Sequence, residues 1–159
     1  EYAQSQGLHI TIHAGEAAGP ESIRQALEVC HAERIGHGVR LGEDPAVLDE
    51  VARRHTTLEM CPDSNLLINV VKDLKSYPMM AYARRGIPVT ISTDDRHIFD
   101  LTLTGEYMAM VEQCGLSFQD LEKISLTGIR SSFLPERDKA RVEARWRERM
   151  DECRQQLTP

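Results

Sequence analysis

No run of the roughly 20 apolar residues that a membrane span requires occurs anywhere in this 159-residue sequence, so a transmembrane helix is not expected. Nor does a charged segment lead into an apolar one near the N-terminus, which argues against an export signal and for a cytoplasmic protein. Cysteine is sparse: Cys30, Cys61, Cys114 and Cys153 lie far apart and form no C-x-x-C pair. That speaks against a cysteine zinc site and a disulfide framework, and for four reduced thiols in or near the core. No G-x-G-x-x-G opens a helix, which removes the support for a dinucleotide site. Basic residues are outnumbered 19 to 25, for a net charge of −6, without the clustered Lys and Arg of a phosphate binder. Nucleic acid is therefore not expected as a partner, whereas a single nucleoside is compatible with this charge.

What is present is a strand-then-helix rhythm. Hydrophobic residues make up 41% of the chain, enough for a core that buries roughly 70% of the unfolded surface. Leu8 to His13 reads as a β-branched strand and Glu21 to Cys30 as a helix with Ile23, Ala26, Leu27 and Cys30 on one face. Arg34-Ile35-Gly36 is a short second strand ending at His37-Gly38. Asp44-Pro45 predicts an N-cap and first helical residue, with Val47, Leu48, Val51 and Ala52 at helical spacing. Thr56 to Met60 is a third strand, ending at Cys61-Pro62, and Ser64 to Asn69 reads as loop with a short helical turn. Pro78 to Arg85 is a helix stopped by Gly86, and Pro88 to Ser92 is the fourth strand. Leu103 to Cys114 and Ser117 to Phe133 are helices parted by Gly115. From Asp138 the tail is a charged helix whose stripe of Val142, Trp146, Met150, Cys153 and Leu157 is expected to dock on the protein's own helices.

Four strands each followed by helix, with few hairpin signals, predict parallel strands joined by crossover helices. Such a sheet is either doubly wound or part of a (β/α)8 barrel. His13, Glu16, His37, Asp94 and Asp95 all fall at or just past the C-terminal ends of strands, the face on which barrels assemble chemistry, so the barrel is favoured.

Those residue types suit a hydrolytic metal site. Neutral imidazole and carboxylate oxygen are donors for Zn²⁺, which lowers the pKa of water from about 15.7 to about 7. His13 and Glu16 are separated by a glycine-permitted turn, and Asp94 and Asp95 point in different directions and can do different jobs. His37, between two glycines, can approach a ligand closely. Each has a plainer reading as a turn former, cap or structural histidine, and only their common placement on consecutive strands lifts them above it. His9, His31 and His55 read as structural or surface residues, and His97 as a candidate rim contact.

Taken in order, His13-Ala-Gly-Glu16, Arg34-Ile-Gly-His37-Gly38, Cys61-Pro-x-Ser64-Asn65 and Ser92-Thr-Asp94-Asp95 resemble the motif set of the adenosine deaminase family, one motif per βα unit, from about Leu8 to Leu134. The resemblance implies a zinc-dependent (β/α)8 hydrolase that deaminates a purine at C6. It implies that His13 and Asp94 are zinc ligands at the ends of the fifth and eighth strands. Glu16 would protonate purine N1, His37 would orient the attacking water and shuttle its proton, and Asp95 would hydrogen-bond N7, with Gly15 as a further substrate contact. The P-C-x-x-C half of the cytidine-deaminase signature does not occur.

Two departures accompany the resemblance. Asp95 is followed by Arg96-His97-Ile98-Phe99 where the family often has proline, which bears on substrate preference. The family's further His-x-His ligands and a glycine contact to the purine belong to a region before the fifth strand, and the chain opens at Glu1 as though within a helix. The expectation is therefore the second half of a (β/α)8 barrel over residues 1–135 and a charged amphipathic helix over 136–159. Two of the family's four zinc ligands are then in hand, and the missing N-terminal half is the required partner. Alone, such a chain is expected to have little or no activity. Gly36 before His37 and Thr93 before the Asp pair lean toward adenosine over adenine or another 6-aminopurine as substrate, and a non-catalytic βα domain is the reading from a different class.

Overall fold

The computed structural model describes residues 2–157, the side chain of Leu157 excepted. A short helix, α1 (Tyr2–Ser5), leads into β1 (Thr11–Ala14), α2 (Pro20–Glu28) and β2 (Arg34–His37). A 3₁₀ turn over Val39–Glu43 precedes α3 (Pro45–Arg54), then β3 (Thr57–Met60) and α4 (Pro62–Leu67). After a second 3₁₀ turn come α5 (Met79–Arg84), β4 (Val89–Ile91) and α6 (Arg96–Phe99). The chain finishes with α7 (Leu103–Cys114), α8 (Phe118–Arg130) and α9 (Glu136–Leu157).

The four strands are all parallel and lie in the order β1-β2-β3-β4. A doubly wound sheet reverses its strand order at a switch point, whereas this order never reverses, so the sheet is an arc of a barrel wall. Ile12, Ile35, Leu58 and Val89 are in register across it, and Ile35, Leu58 and Val89 are buried. Ile23, Ala26 and Leu27 of α2 and Val47, Leu48 and Val51 of α3 are buried in the same core, each large side chain contributing about 1.5–3 kcal/mol. The alternate row, His13, Gly36, Glu59 and Thr90, occupies the other side of the sheet.

The helix starts follow local chemistry. Asp44 caps α3 by accepting from the N–H groups of Ala46 (2.8 Å) and Val47 (3.3 Å), with Pro45 in the first helical position as its sequence predicts. Ser117 and Asp120 form a reciprocal capping box on α8.

Several expectations need correction. β1 is shorter than the run from Leu8, because Leu8 is exposed and the His9 ring stacks on Phe133 instead of joining the ladder. The helix over Glu21 to Cys30 stops at Glu28, which leaves Cys30 exposed, and Cys153 is exposed on α9, so only Cys61 and Cys114 are covered. The helix predicted to reach Phe133 ends at Arg130. The ambiguous stretch after Cys61 is a helix, α4, from Pro62. Of the α9 stripe, Trp146 and Met150 are half-buried and share a cleft with Gln119, Glu122 and Leu126 of α8, whereas Val142 is exposed and Leu157 lies outside the described side chains.

Candidate active site

The C-terminal ends of the strands gather the polar residues. At the end of β1 the chain must turn back sharply, and Gly15 does so with φ +68°. A Cβ there would lie 2.4 Å from Ile23 Cδ1, so any side chain would collide with α2. The Gly15 N–H donates to Ser22 Oγ (2.8 Å) and its carbonyl accepts from Arg40 N (2.8 Å), so both of its polar groups are engaged within the protein. This turn carries Glu16 over the end of the sheet. One strand across, Gly36 makes room for His13: a Cβ at Gly36 would sit 2.8 Å from the His13 ring.

His37 departs from the alternation of its strand. By the two-residue period it would follow Ile35 toward the helices, yet its ring meets His13 edge-on with centroids 4.7 Å apart. The reversal is made by the backbone, which is left-handed at His37 (φ +68°). Asp94, at the end of β4, is left-handed as well (φ +57°). Histidine and aspartate tolerate this region better than most residues, but each such position costs on the order of 1–3 kcal/mol. Two strained positions side by side at strand ends mark a place where geometry is held against local preference.

The groups converge on His37, which is 1% exposed. Its Nδ1 lies 3.2 Å from Glu16 Oε1 and its Nε2 3.9 Å from Asp94 Oδ2. Asn65 Nδ2 donates to Glu16 Oε1 (2.8 Å) and stands 3.3 Å from His37 Nδ1, while its Oδ1 accepts from Tyr77 Oη (2.8 Å). Ser64 Oγ donates to Asp94 Oδ2 (2.7 Å). Burial is the main cause that lowers the His37 pKa, only partly opposed by the Glu16 and Asp94 carboxylates, and the ring is thereby kept neutral. A neutral ring with its proton on Nδ1, toward Glu16 Oε1, keeps Nε2 free to accept on the Asp94 side.

Two overlapping donor sets that could hold a cation share His37: His13 with Glu16 and His37, and His37 with Cys61 and Asp94. Burial and the surrounding carboxylates push the Cys61 thiol strongly upward, so its proton stays and it points weakly at the Glu59 carbonyl. The imidazole and carboxylate groups are the donors ready for an ion, and their chemistry fits Zn²⁺.

Of the residues singled out from sequence, His13, Glu16, His37 and Asp94 therefore come together. Asp95 does not join them; it is exposed, and with Asp94 and His97 lines a shallow cavity of about 140 Å³ on the rim. His9 pairs with Glu33 away from this end, and His55 caps α3 in a left-handed turn, as structural residues do. Ser64 and Asn65 belong to a motif visible in the sequence but had no role there, and Tyr77 stood in no motif at all. The signal for the first two was Pro62: a proline just past a strand end opens a helix, and the polar pair behind it lies in that helix's first turns.

A model of the family described as adenosine deaminase matches residues 1–148. An adenosine deaminase of Erwinia tasmaniensis is 42% identical over 143 residues, covering 90% of this chain and 43% of that protein. An aminodeoxyfutalosine deaminase of Streptomyces coelicolor is 39% identical over 140 residues, covering 88% of this chain and 36% of that protein. The crystal structure of an adenine deaminase from Arthrobacter aurescens superposes with a TM-score of 0.90 at 29% identity, over 94% of this chain and 46% of that one. The chain thus spans less than half the length of the relatives it matches. Among the described residues no helix is long and apolar enough to cross a membrane.

Proposed function

This chain belongs to the adenosine deaminase family, and from that premise we propose that its site serves the hydrolytic removal of the 6-amino group of a purine, with adenosine giving inosine and ammonia. The observation that carries the reading is the meeting of Glu16, His37, Asn65 and Asp94 around one point, with the His13 ring against His37.

His13 and Asp94 are the residues we assign to Zn²⁺, which when bound supplies Lewis acidity and a water acidified to near neutral pH. The remaining work belongs to the protein. Glu16 gives a proton to purine N1, which withdraws electron density from C6 and opens it to water. Asn65 holds Glu16 in place for that transfer, through the amide that Tyr77 orients. The neutral His37 ring takes a proton from the attacking water and passes it on as ammonia leaves. Asp95, on the rim, faces the purine N7, and the turn at Gly15 carries Glu16 to the N1 edge. The purine nucleoside is the small partner in this reading, and the remainder of the barrel is the other: His13 and Asp94 are two donors where the metal of such a site takes more.

The test is conversion of adenosine to inosine, followed by absorbance with added zinc. The complete barrel polypeptide that contains this sequence should turn over, and residues 1–159 alone should not. Asp94→Ala in the complete polypeptide should lower its zinc content as well as its activity. Robust turnover by the isolated chain would overturn the half-site reading. Turnover of adenine with adenosine untouched would select the second substrate, which the adenine deaminase structure at TM-score 0.90 favours.

A further inference from the structure

Glu106 has no part in the scheme above, yet it is among the most deeply buried charged residues of the protein, with no measurable exposure. It projects from α7 toward the start of α4. Its Oε2 accepts the Asp63 N–H at 3.2 Å, and its Oε1 is buried without a partner among the described residues. Burial, with the Asp63 and Asp94 carboxylates adding to it, pushes the Glu106 carboxyl up to about 7. A leucine would fill such a space without that penalty, so packing does not account for a carboxyl there.

What the carboxyl holds is the first turn of a six-residue helix. Pro62 has no N–H, which leaves the amides of Cys61, Asp63 and Ser64 as the donors at that helix start. Glu106 accepts the second of these, and the Tyr77 hydroxyl holds the same turn by donating to Asn65 Oδ1 at 2.8 Å. Immediately behind them, Ser64 reaches Asp94 and Asn65 reaches Glu16. Isolated helices this short are not stable by themselves, so α4 takes its position from these outside contacts.

We propose that Glu106 is a positioning residue for the deamination site, fixing the start of α4 so that Ser64 and Asn65 meet Asp94 and Glu16. The proposal rests on the deaminase reading above. It acts through the acceptor oxygen rather than through charge: a group that reaches Asp63 N–H and accepts will serve, and one that cannot will not.

The experiment uses the complete barrel polypeptide containing this sequence, with adenosine as substrate. Glu106→Leu removes the acceptor, Glu106→Asp keeps the charge but shortens the reach, and Glu106→Gln keeps both the reach and an accepting oxygen. In variants that retain the parent's circular dichroism, Leu and Asp should lower kcat by about tenfold or more with KM within about threefold, since displacement of catalytic groups by about 1 Å costs up to about a hundredfold. Glu106→Gln should recover most of that loss. Ser64→Ala should cost less in the Glu106→Asp background than in the parent, because the contact it removes is already displaced. Should Glu106→Leu fail to fold, the Asp and Gln pair carries the test. An active parent with an unimpaired Asp variant, a Gln variant no better than Asp, or full additivity with Ser64→Ala overturns the positioning role alone. A parent that deaminates no 6-aminopurine overturns the deaminase reading and this role with it.

Discussion

Glu106 on α7 and Glu143 on α9 are the same side chain in opposite surroundings. Glu143 lies between the guanidiniums of Arg130 and Arg147, whose hydrogen bonds pull its carboxyl down to about 2. Among the described residues no cation pairs with Glu106, and burial drives it the other way, to about 7. The contrast extends to their neighbourhoods. Along α9 the ion pairs are mostly local and exposed, such as Lys139 with Glu136 and Arg149 with Glu152, and each can be exchanged for water at small cost. At the strand ends Asn65, Glu16, His37, Ser64 and Asp94 are covered, and each hydrogen bond has one geometry. Charge on α9 keeps a helix solvated, whereas charge at the rim is arranged.

That contrast predicts a steep gradient of mutational effects. The largest is at Glu16: Glu16→Gln in the complete polypeptide should lower kcat for adenosine by about 10²–10⁴, the span of a general acid, with zinc content by metal analysis unchanged. A loss under tenfold would remove Glu16 from the chemistry. Next is the pH dependence of stability at Glu106. Its folded pKa is raised, so the folded state holds this proton where the unfolded chain has released it. The stabilisation is full below the usual glutamate pKa of about 4.3 and is lost as pH rises through about 7. Glu106→Gln should therefore gain on the parent between about pH 5 and 8, by at most about 4 kcal/mol in denaturant titrations. A gap independent of pH would sink that assignment.

Tyr77→Phe comes third. It leaves the Asn65 Oδ1 without its donor, which should destabilise by about 1–3 kcal/mol in thermal unfolding. Smallest is Glu143→Gln, whose effect on the melting temperature should be slight and disappear in about 1 M salt. If Glu143→Gln proved as damaging as Tyr77→Phe, the distinction between the two regions would collapse.

The strands and their end-of-strand residues were legible because β-branched runs and an Asp-Pro cap announce themselves locally, and four motifs in order carry more information than any one. The barrel arc follows from strand order, which the strand-then-helix rhythm left open and the placement of polar residues at strand ends favoured. The helix α4 was legible only as a short helical turn after Cys61-Pro62. Ser64 and Asn65 are indifferent helix formers, and what makes them helical is the grip of Tyr77 and Glu106 from distant parts of the chain. The inward turn of His37 escaped for another reason: side-chain alternation assigns it to the wrong side, and only its left-handed φ reverses that. Cys30 was misplaced by two residues of helix, since α2 ends at Glu28 and the thiol then leaves the buried face.

Each of the four strands delivers its own contribution at its own tip, and no strand carries two of the groups assigned to the metal. The segments that follow are nonetheless tied together: Asn65 after β3 grips Glu16 after β1, and Ser64 grips Asp94 after β4. The stretch from Arg96 to Phe99, largely exposed, lies outside those ties, and in the proposed deaminase it is the part that can change without disturbing them.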